Sequence, residues 1–231
     1  MSKKLLNIFA FIATLFSQQT LAEPKMLEIE KLATHGNLAA QTALGVMYLQ
    51  GKEIDQNYVK AFQWLIKSAQ QGDATAQFSL GIMYEQGLGV TQDYIQALEW
   101  YQKSAQQDDA NAQFNLGVMY EQGLGVTQDY IQAFEWYQKS AQQGDTDALF
   151  NIGGMYATSR GVNINYSKTR EYYLKSAELG NAMAQFNIGK CYFQGIFGFN
   201  KDEKIALEWV KKAAKNGYPQ AKFALELYED N

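Results

Sequence analysis

Residues Ala112–Gly144 have the sequence AQFNLGVMYEQGLGVTQDYIQAFEWYQKSAQQG, and nearly the same sequence occurs 36 residues earlier, at Ala76–Asp108. The two copies differ at only four positions. A glycine and a tyrosine recur on this period along the chain, at Gly45, Gly81, Gly117, Gly153 and Gly189, and at Tyr48, Tyr84, Tyr120, Tyr156 and Tyr192. Self-similarity at a period of roughly 20–50 residues indicates a stacked repeat architecture.

Each copy has the pattern of two helices joined by a glycine-rich turn. Asp109 precedes the first helix and Asp129 the second, where a carboxylate accepts from the free N–H groups of the first turn. The turn 123–126 contains two glycines, which adopt positive φ readily. Gly117 lies inside the first helix at a cost of about 1 kcal/mol relative to alanine. We therefore expect a neighbouring helix to pass too close for a Cβ atom.

These residues resemble the Sel1-like repeat, a relative of the tetratricopeptide repeat. The matching positions are Ala112, Leu116, Gly117, Tyr120, Gly123, Gly125, Val126, Asp129, Ala133, Trp136, Lys139, Ser140, Ala141 and Gly144. The resemblance implies an all-α fold, an α/α superhelical solenoid of about five 36-residue helix-turn-helix repeats with half-repeat caps. It also implies a protein-binding scaffold, and it implies no enzymatic activity.

The copies are not equally regular. Residues 24–34 form half a repeat at the start, and residues 219–228 form a last first-type helix. The fourth copy diverges most, with Thr158-Ser159-Arg160-Gly161 in its turn and Tyr172 at the tryptophan position. The fifth copy carries one extra residue within 195–199.

Residues 1–22 do not follow the repeat and have the pattern of a secretory signal peptide. Lys3 and Lys4 precede an apolar stretch of about twelve residues, and cleavage is expected after Ala22. The alternative is a short buried helix; the stretch is too short for a membrane span. Cleavage leaves residues 23–231 as one repeat domain with 18 basic against 24 acidic residues, a net charge of −6. We expect the protein in the periplasm of a Gram-negative bacterium, or secreted.

The sequence contains few residues suited to catalysis or metal binding. His35 is the single histidine and is expected at the surface, while the single cysteine, Cys191, takes a core position that methionine fills in other copies. No Cys/His cluster has metal-ligand spacing, and no phosphate-binding loop is present, so we expect no catalytic residues, metal or cofactor. Nucleic-acid binding is not expected of an acidic exported chain.

Lysines cluster in the last helical pair, at Lys201, Lys204, Lys211, Lys212 and Lys215. Such a run is either a solvated helix face or a site for an anionic partner or the envelope surface.

The first helices carry the predicted partner-binding site. If they pack as in tetratricopeptide folds, one stripe of side chains faces a concave groove. We name this set the first-helix stripe: Phe78, Ile82, Glu85, Gln86, Asn111, Phe114, Val118, Glu121, Gln122, Phe150, Phe186 and Lys190. Its phenylalanines either pack between neighbouring repeats or anchor a partner, as aromatic hot spots do.

The function expected from these observations is a monomeric, non-enzymatic scaffold that binds a partner protein through the groove. One alternative comes from the resemblance, because some periplasmic members of the family are immunity proteins that neutralise lipase effectors delivered between bacteria. Another alternative is a cofactor for remodelling the cell wall or envelope. The sequence identifies no particular partner.

Overall fold

The computed structural model describes residues 23–229, and this part of the chain contains twelve helices and no strand. The helices are α1 Glu23–Thr34, α2 Leu38–Gln50, α3 Tyr58–Gln70, α4 Ala74–Gln86, α5 Tyr94–Ala105, α6 Ala110–Gln122, α7 Tyr130–Gln142, α8 Thr146–Thr158, α9 Tyr166–Glu178, α10 Ala182–Gln194, α11 Glu203–Lys215 and α12 Pro219–Glu229. The all-α repeat class is confirmed. The predicted signal peptide, 1–22, lies outside the described residues.

Both kinds of helix begin where the sequence predicts a cap. Asp73 accepts from the backbone N–H of Ala76 at the start of α4, and Asp93 accepts from the N–H groups of Ile95 and Gln96 at the start of α5. First helices end at a residue in the left-handed conformation, which is glycine in four repeats and Ser159 in the fourth. Capping therefore fixes the helix bounds.

The chain divides into two compact units, each with its own core. The first contains the described residues as far as Met119 together with 123–127, and the second contains 120–122 and the described residues from Gln128 onward. Leu65, Leu80 and Met83 are fully buried in the first unit. Tyr173, Ile188 and Cys191 pack together in the second. That residues 23–231 form one domain stays a prediction.

The glycines inside the first helices lie at close crossings with the second helix of the same repeat. A Cβ atom on Gly81 would lie 2.4 Å from the ring of Tyr101, and one on Gly153 would lie 2.5 Å from the ring of Tyr173. The expected reason for these glycines is therefore confirmed. Gly154 differs, because the nearest atom to its Cβ position is the Tyr173 hydroxyl, 3.7 Å away.

Candidate partner-binding site

Three phenylalanines of the first-helix stripe, Phe78, Phe150 and Phe186, pack against a tyrosine. The ring centroid of Phe78 is 5.8 Å from that of Tyr101, and Phe78 is only 5% exposed. Phe150 stacks on Tyr173 at 5.0 Å but is half-buried, so one side of its ring stays open. Phe78 therefore lies in the core, whereas Phe150 keeps surface for a partner.

The other stripe residues differ in exposure. Phe186 is half-buried and packs on Tyr218 at 5.2 Å. The half-buried members are Ile82, Glu85, Asn111, Phe114, Val118 and Glu121. The exposed members are Gln86, Gln122 and Lys190.

A cavity of about 190 Å³ lies within the second unit, on the side of the first helices. Its walls are Glu121, Phe150, Asn151, Gly154, Met155, Thr158 and Arg160. The structure thus brings together two residues of the predicted stripe, Glu121 and Phe150. Sequence reasoning missed Arg160 as a site residue. The available signal was its departure from the repeat, because copies two and three have Leu88 and Leu124 at that turn position.

Glu121 has a role that the helical spacing did not reveal. One carboxylate oxygen accepts from the Tyr137 hydroxyl at 2.7 Å, and the other accepts from Nη1 of Arg160 at 3.2 Å. Burial raises the pKa of Tyr137, and its contacts with Glu121 raise it further. The phenol is therefore a stable donor, and both oxygens of this carboxylate are already engaged.

The residues considered for chemistry lie apart from this cavity. His35 is exposed, with Nδ1 2.7 Å from the carbonyl oxygen of Lys31. Cys191 is 3% exposed, and burial raises the pKa of its thiol to about 11, which confirms it as a core residue. Within residues 23–229 no three His, Cys, Asp or Glu side chains are grouped to hold a metal ion.

Second helices carry a recurring pair of a tryptophan and a lysine three residues later. The lysine Nζ lies over the indole ring in four repeats, in the pairs Trp64–Lys67, Trp100–Lys103, Trp136–Lys139 and Trp209–Lys212, at 4.4, 3.9, 3.7 and 4.1 Å. At exposed sites such contacts contribute about 0.5–1 kcal/mol. These lysines therefore have a structural contact, including Lys212 of the basic cluster.

Comparison with known proteins agrees with this architecture. The Sel1 repeat model matches residues 38–73, 74–109, 110–145, 146–181 and 182–218. The chain therefore belongs to the Sel1 repeat family, whose repeats mediate protein–protein interaction. A search of curated proteins found no match. Along residues 23–229, every helix is too short or too polar to cross a membrane.

Three solved structures illustrate the likeness. A Sel1 repeat protein from Oxalobacter formigenes is 32% identical, with 96% of this chain and 85% of that chain covered and a TM-score of 0.78. A protective antigen of uropathogenic Escherichia coli is 36% identical with a TM-score of 0.77, over 87% of this chain and only 43% of its own. The immunity protein PA5088 from Pseudomonas aeruginosa is 18% identical over 80% and 67%, with a TM-score of 0.54. This last likeness is one of fold.

Proposed function

We propose that the protein is an exported, non-enzymatic scaffold that binds a partner protein through its first helices, with the cavity at Phe150 and Gly154 at the centre of the contact. The cavity carries this proposal, since it combines an open aromatic face with polar groups. Interface hot spots have this composition, an aromatic ring in a pocket with few polar neighbours. The N-terminal sequence supports export.

The size of the cavity favours a side chain of a partner over a free small molecule. It encloses about 190 Å³. Sites for small molecules usually enclose about 300–1,000 Å³ and bury most of the ligand. A space below that range, open at the protein surface, suits one protruding side chain of a docked protein.

Affinity capture from the envelope fraction of the source bacterium tests the proposal, with residues 23–231 as bait. Gly154→Val should fill the cavity with the residue that copy three has at Val118, and we expect capture of the specific partner to fall at least about tenfold, as loss of a hot-spot contact does. Ile95→Ala is the control, because Ile95 is an exposed apolar residue on a second helix. Equal capture by wild type and Gly154→Val would refute the proposed site.

The identity of the captured protein separates the two alternatives. A toxic phospholipase that loses activity when the scaffold binds would establish an immunity protein. A wall lytic enzyme would establish a role in envelope remodelling. The likeness to PA5088 concerns the fold and does not decide between them.

Export is tested by tagging the C-terminus and sequencing the N-terminus of the mature protein. We expect a periplasmic chain that begins at Glu23. A cytosolic chain that retains Met1 would refute export while leaving the binding proposal open to its own test.

A further inference from the structure

A buried tyrosine in the second helix is bonded to a glutamate of the first helix in two repeats. The hydroxyl of Tyr101 donates to Glu85 at 2.5 Å, and the hydroxyl of Tyr137 donates to Glu121 at 2.7 Å. Burial raises the pKa of both tyrosines and the glutamate raises it further, whereas the side chains of Asn115 and Asn151, from the repeat that follows in each case, lower it. The repeat thus places a carboxylate beside each hydroxyl.

The fourth repeat keeps the tyrosine and lacks the glutamate. Tyr173 is only 7% exposed, but Ala157 stands where the glutamate would be. Asn187, at the position equivalent to Asn115 and Asn151, donates to the carbonyl oxygen of Met183 at 2.9 Å. Among residues 23–229 the Tyr173 hydroxyl has no hydrogen-bond partner. Among the described residues the fully buried side-chain N and O atoms without a partner are Gln50 Oε1 and Trp100 Nε1, so the Tyr173 hydroxyl is not sealed inside the core. A ligand that reaches this hydroxyl finds a free donor.

The unpartnered hydroxyl lies next to the cavity. Gly154 is a wall of the cavity, and its Cβ position is 3.7 Å from the Tyr173 hydroxyl. Copies two and three fill this place with the half-buried side chains of Ile82 and Val118. The same repeat therefore lacks both the internal carboxylate and the side chain that would cover its site.

The hydrogen-bond donors around the cavity suit an anionic group. Arg160 is half-exposed, and its ion pair with Glu121, at 3.2 Å, uses Nη1. A guanidinium has five N–H donors, so further donors remain for a ligand. Glu121 is the acidic wall of the cavity, and its charge is offset by Arg160 and by the Tyr137 hydroxyl.

We propose that this cavity binds the carboxylate of an aspartate or glutamate side chain of the partner protein, with the Tyr173 hydroxyl and Arg160 as donors. The partner's carboxylate takes the place that Glu85 and Glu121 occupy in their own repeats. This inference rests on the proposed function, and it specifies the chemistry of the partner.

Blocked amino acids test the site without the partner. The probe is N-acetyl-glutamate N-methylamide, and its control is the glutamine analogue, which has the same shape and no charge. Amide shifts of Gly154 in a ¹⁵N spectrum report binding to residues 23–231. We expect saturable shifts with the glutamate probe and at least about tenfold weaker binding of the glutamine probe, because hydrogen bonds to a charged acceptor are stronger.

Two variants locate the site at the hydroxyl. Tyr173→Phe keeps the ring that stacks on Phe150, and Ala157→Glu supplies an internal carboxylate, so we expect both to lose at least about tenfold in probe affinity. Tyr172→Phe is the matched control and should bind like wild type. Equal binding of the two probes, no saturable binding, or wild-type affinity of Tyr173→Phe would each overturn the inference. Melting temperatures verify that each variant is folded.

The outcomes also separate this inference from the proposed function. If Gly154→Val abolishes partner capture while the glutamate probe binds no better than the glutamine probe, the scaffold function stands and the carboxylate inference fails. If the probe binds as expected but Gly154→Val captures the partner normally, the docking proposal fails.

Discussion

The second repeat (α4 and α5) and the fourth repeat (α8 and α9) place the same buried tyrosine at the same helix crossing, but they surround its hydroxyl differently. Tyr101 donates to Glu85 at 2.5 Å, and the half-buried Ile82 takes the place of Gly154 in that repeat. Tyr173 has Ala157 and Gly154 at the corresponding positions. In both repeats a Cβ atom on the helical glycine would lie 2.4–2.5 Å from the tyrosine ring, so the close helix crossing is shared.

This difference shows that a repeat can gain a surface cavity where it has small residues in place of larger side chains. The ring and its glycine maintain the crossing of the two helices, because no Cβ atom fits between them. The residues around the hydroxyl, at positions 154 and 157 in the fourth repeat, do not determine how the two helices cross. They can therefore differ between repeats. In the fourth repeat these positions hold Gly154 and Ala157, and a cavity of about 190 Å³ lies there.

The largest expected effect separates two adjacent glycines of the fourth repeat, Gly153 at the helix crossing and Gly154 at the cavity. Gly153→Val should destabilise the fold by about 3 kcal/mol, since its Cβ atom would lie 2.5 Å from the Tyr173 ring and overpacking costs about 1–3 kcal/mol or more. Gly154→Val should change stability by less than about 1 kcal/mol, because it restores the residue type of copy three. Urea unfolding of both variants measures this. Equal losses would show that the two positions do not differ in packing.

A second test removes the two hydroxyls in turn. Tyr101→Phe should cost about 2 kcal/mol, because it deletes a buried hydrogen bond to a carboxylate. Tyr173→Phe should leave stability unchanged or raise it by about 1 kcal/mol, since its hydroxyl has no partner in the described part of the chain. The measurement is the free energy of unfolding of each variant relative to wild type. A cost of 2 kcal/mol at Tyr173 would reveal a partner inside the fold.

The smallest effect is expected from rebuilding the missing contact. Ala157→Glu should stabilise the protein by about 1 kcal/mol, the usual net value of a hydrogen bond formed within the fold. The gain should vanish in the Tyr173→Phe background, which a double-mutant cycle measures. A loss of stability, or the same gain in both backgrounds, would show that the fourth repeat cannot hold the contact of the second.

The sequence alone predicted the repeat, the helix caps and the helical glycines, because each follows from local spacing and backbone geometry. Asp73 and Asp93 cap helices that the period alone locates. The spacing could not show whether Phe78 is buried or exposed, because it predicts the helix face of a residue but not how deeply its ring packs. The structure places it in the core at 5% exposure.

The carboxylate contacts could not be predicted for a different reason. Glu121 and Tyr137 lie on separate helices, 16 residues apart, and their hydrogen bond depends on how the helices cross. Once this contact is known, the change to Ala157 in the fourth copy becomes informative. Comparison of the copies therefore points to the candidate site only once the structure of one copy is known.

The central claim, that a partner docks at the fourth repeat, is tested most directly by site-specific photo-crosslinking. The crosslinker p-benzoylphenylalanine replaces Thr158 in one variant and Ile95 in another; both positions are exposed, and Ile95 lies on a second helix. After irradiation in the envelope fraction, we expect a strong adduct with the partner from position 158 and a weak one from position 95. Adducts of equal strength, or an adduct from position 95 alone, would contradict the claim.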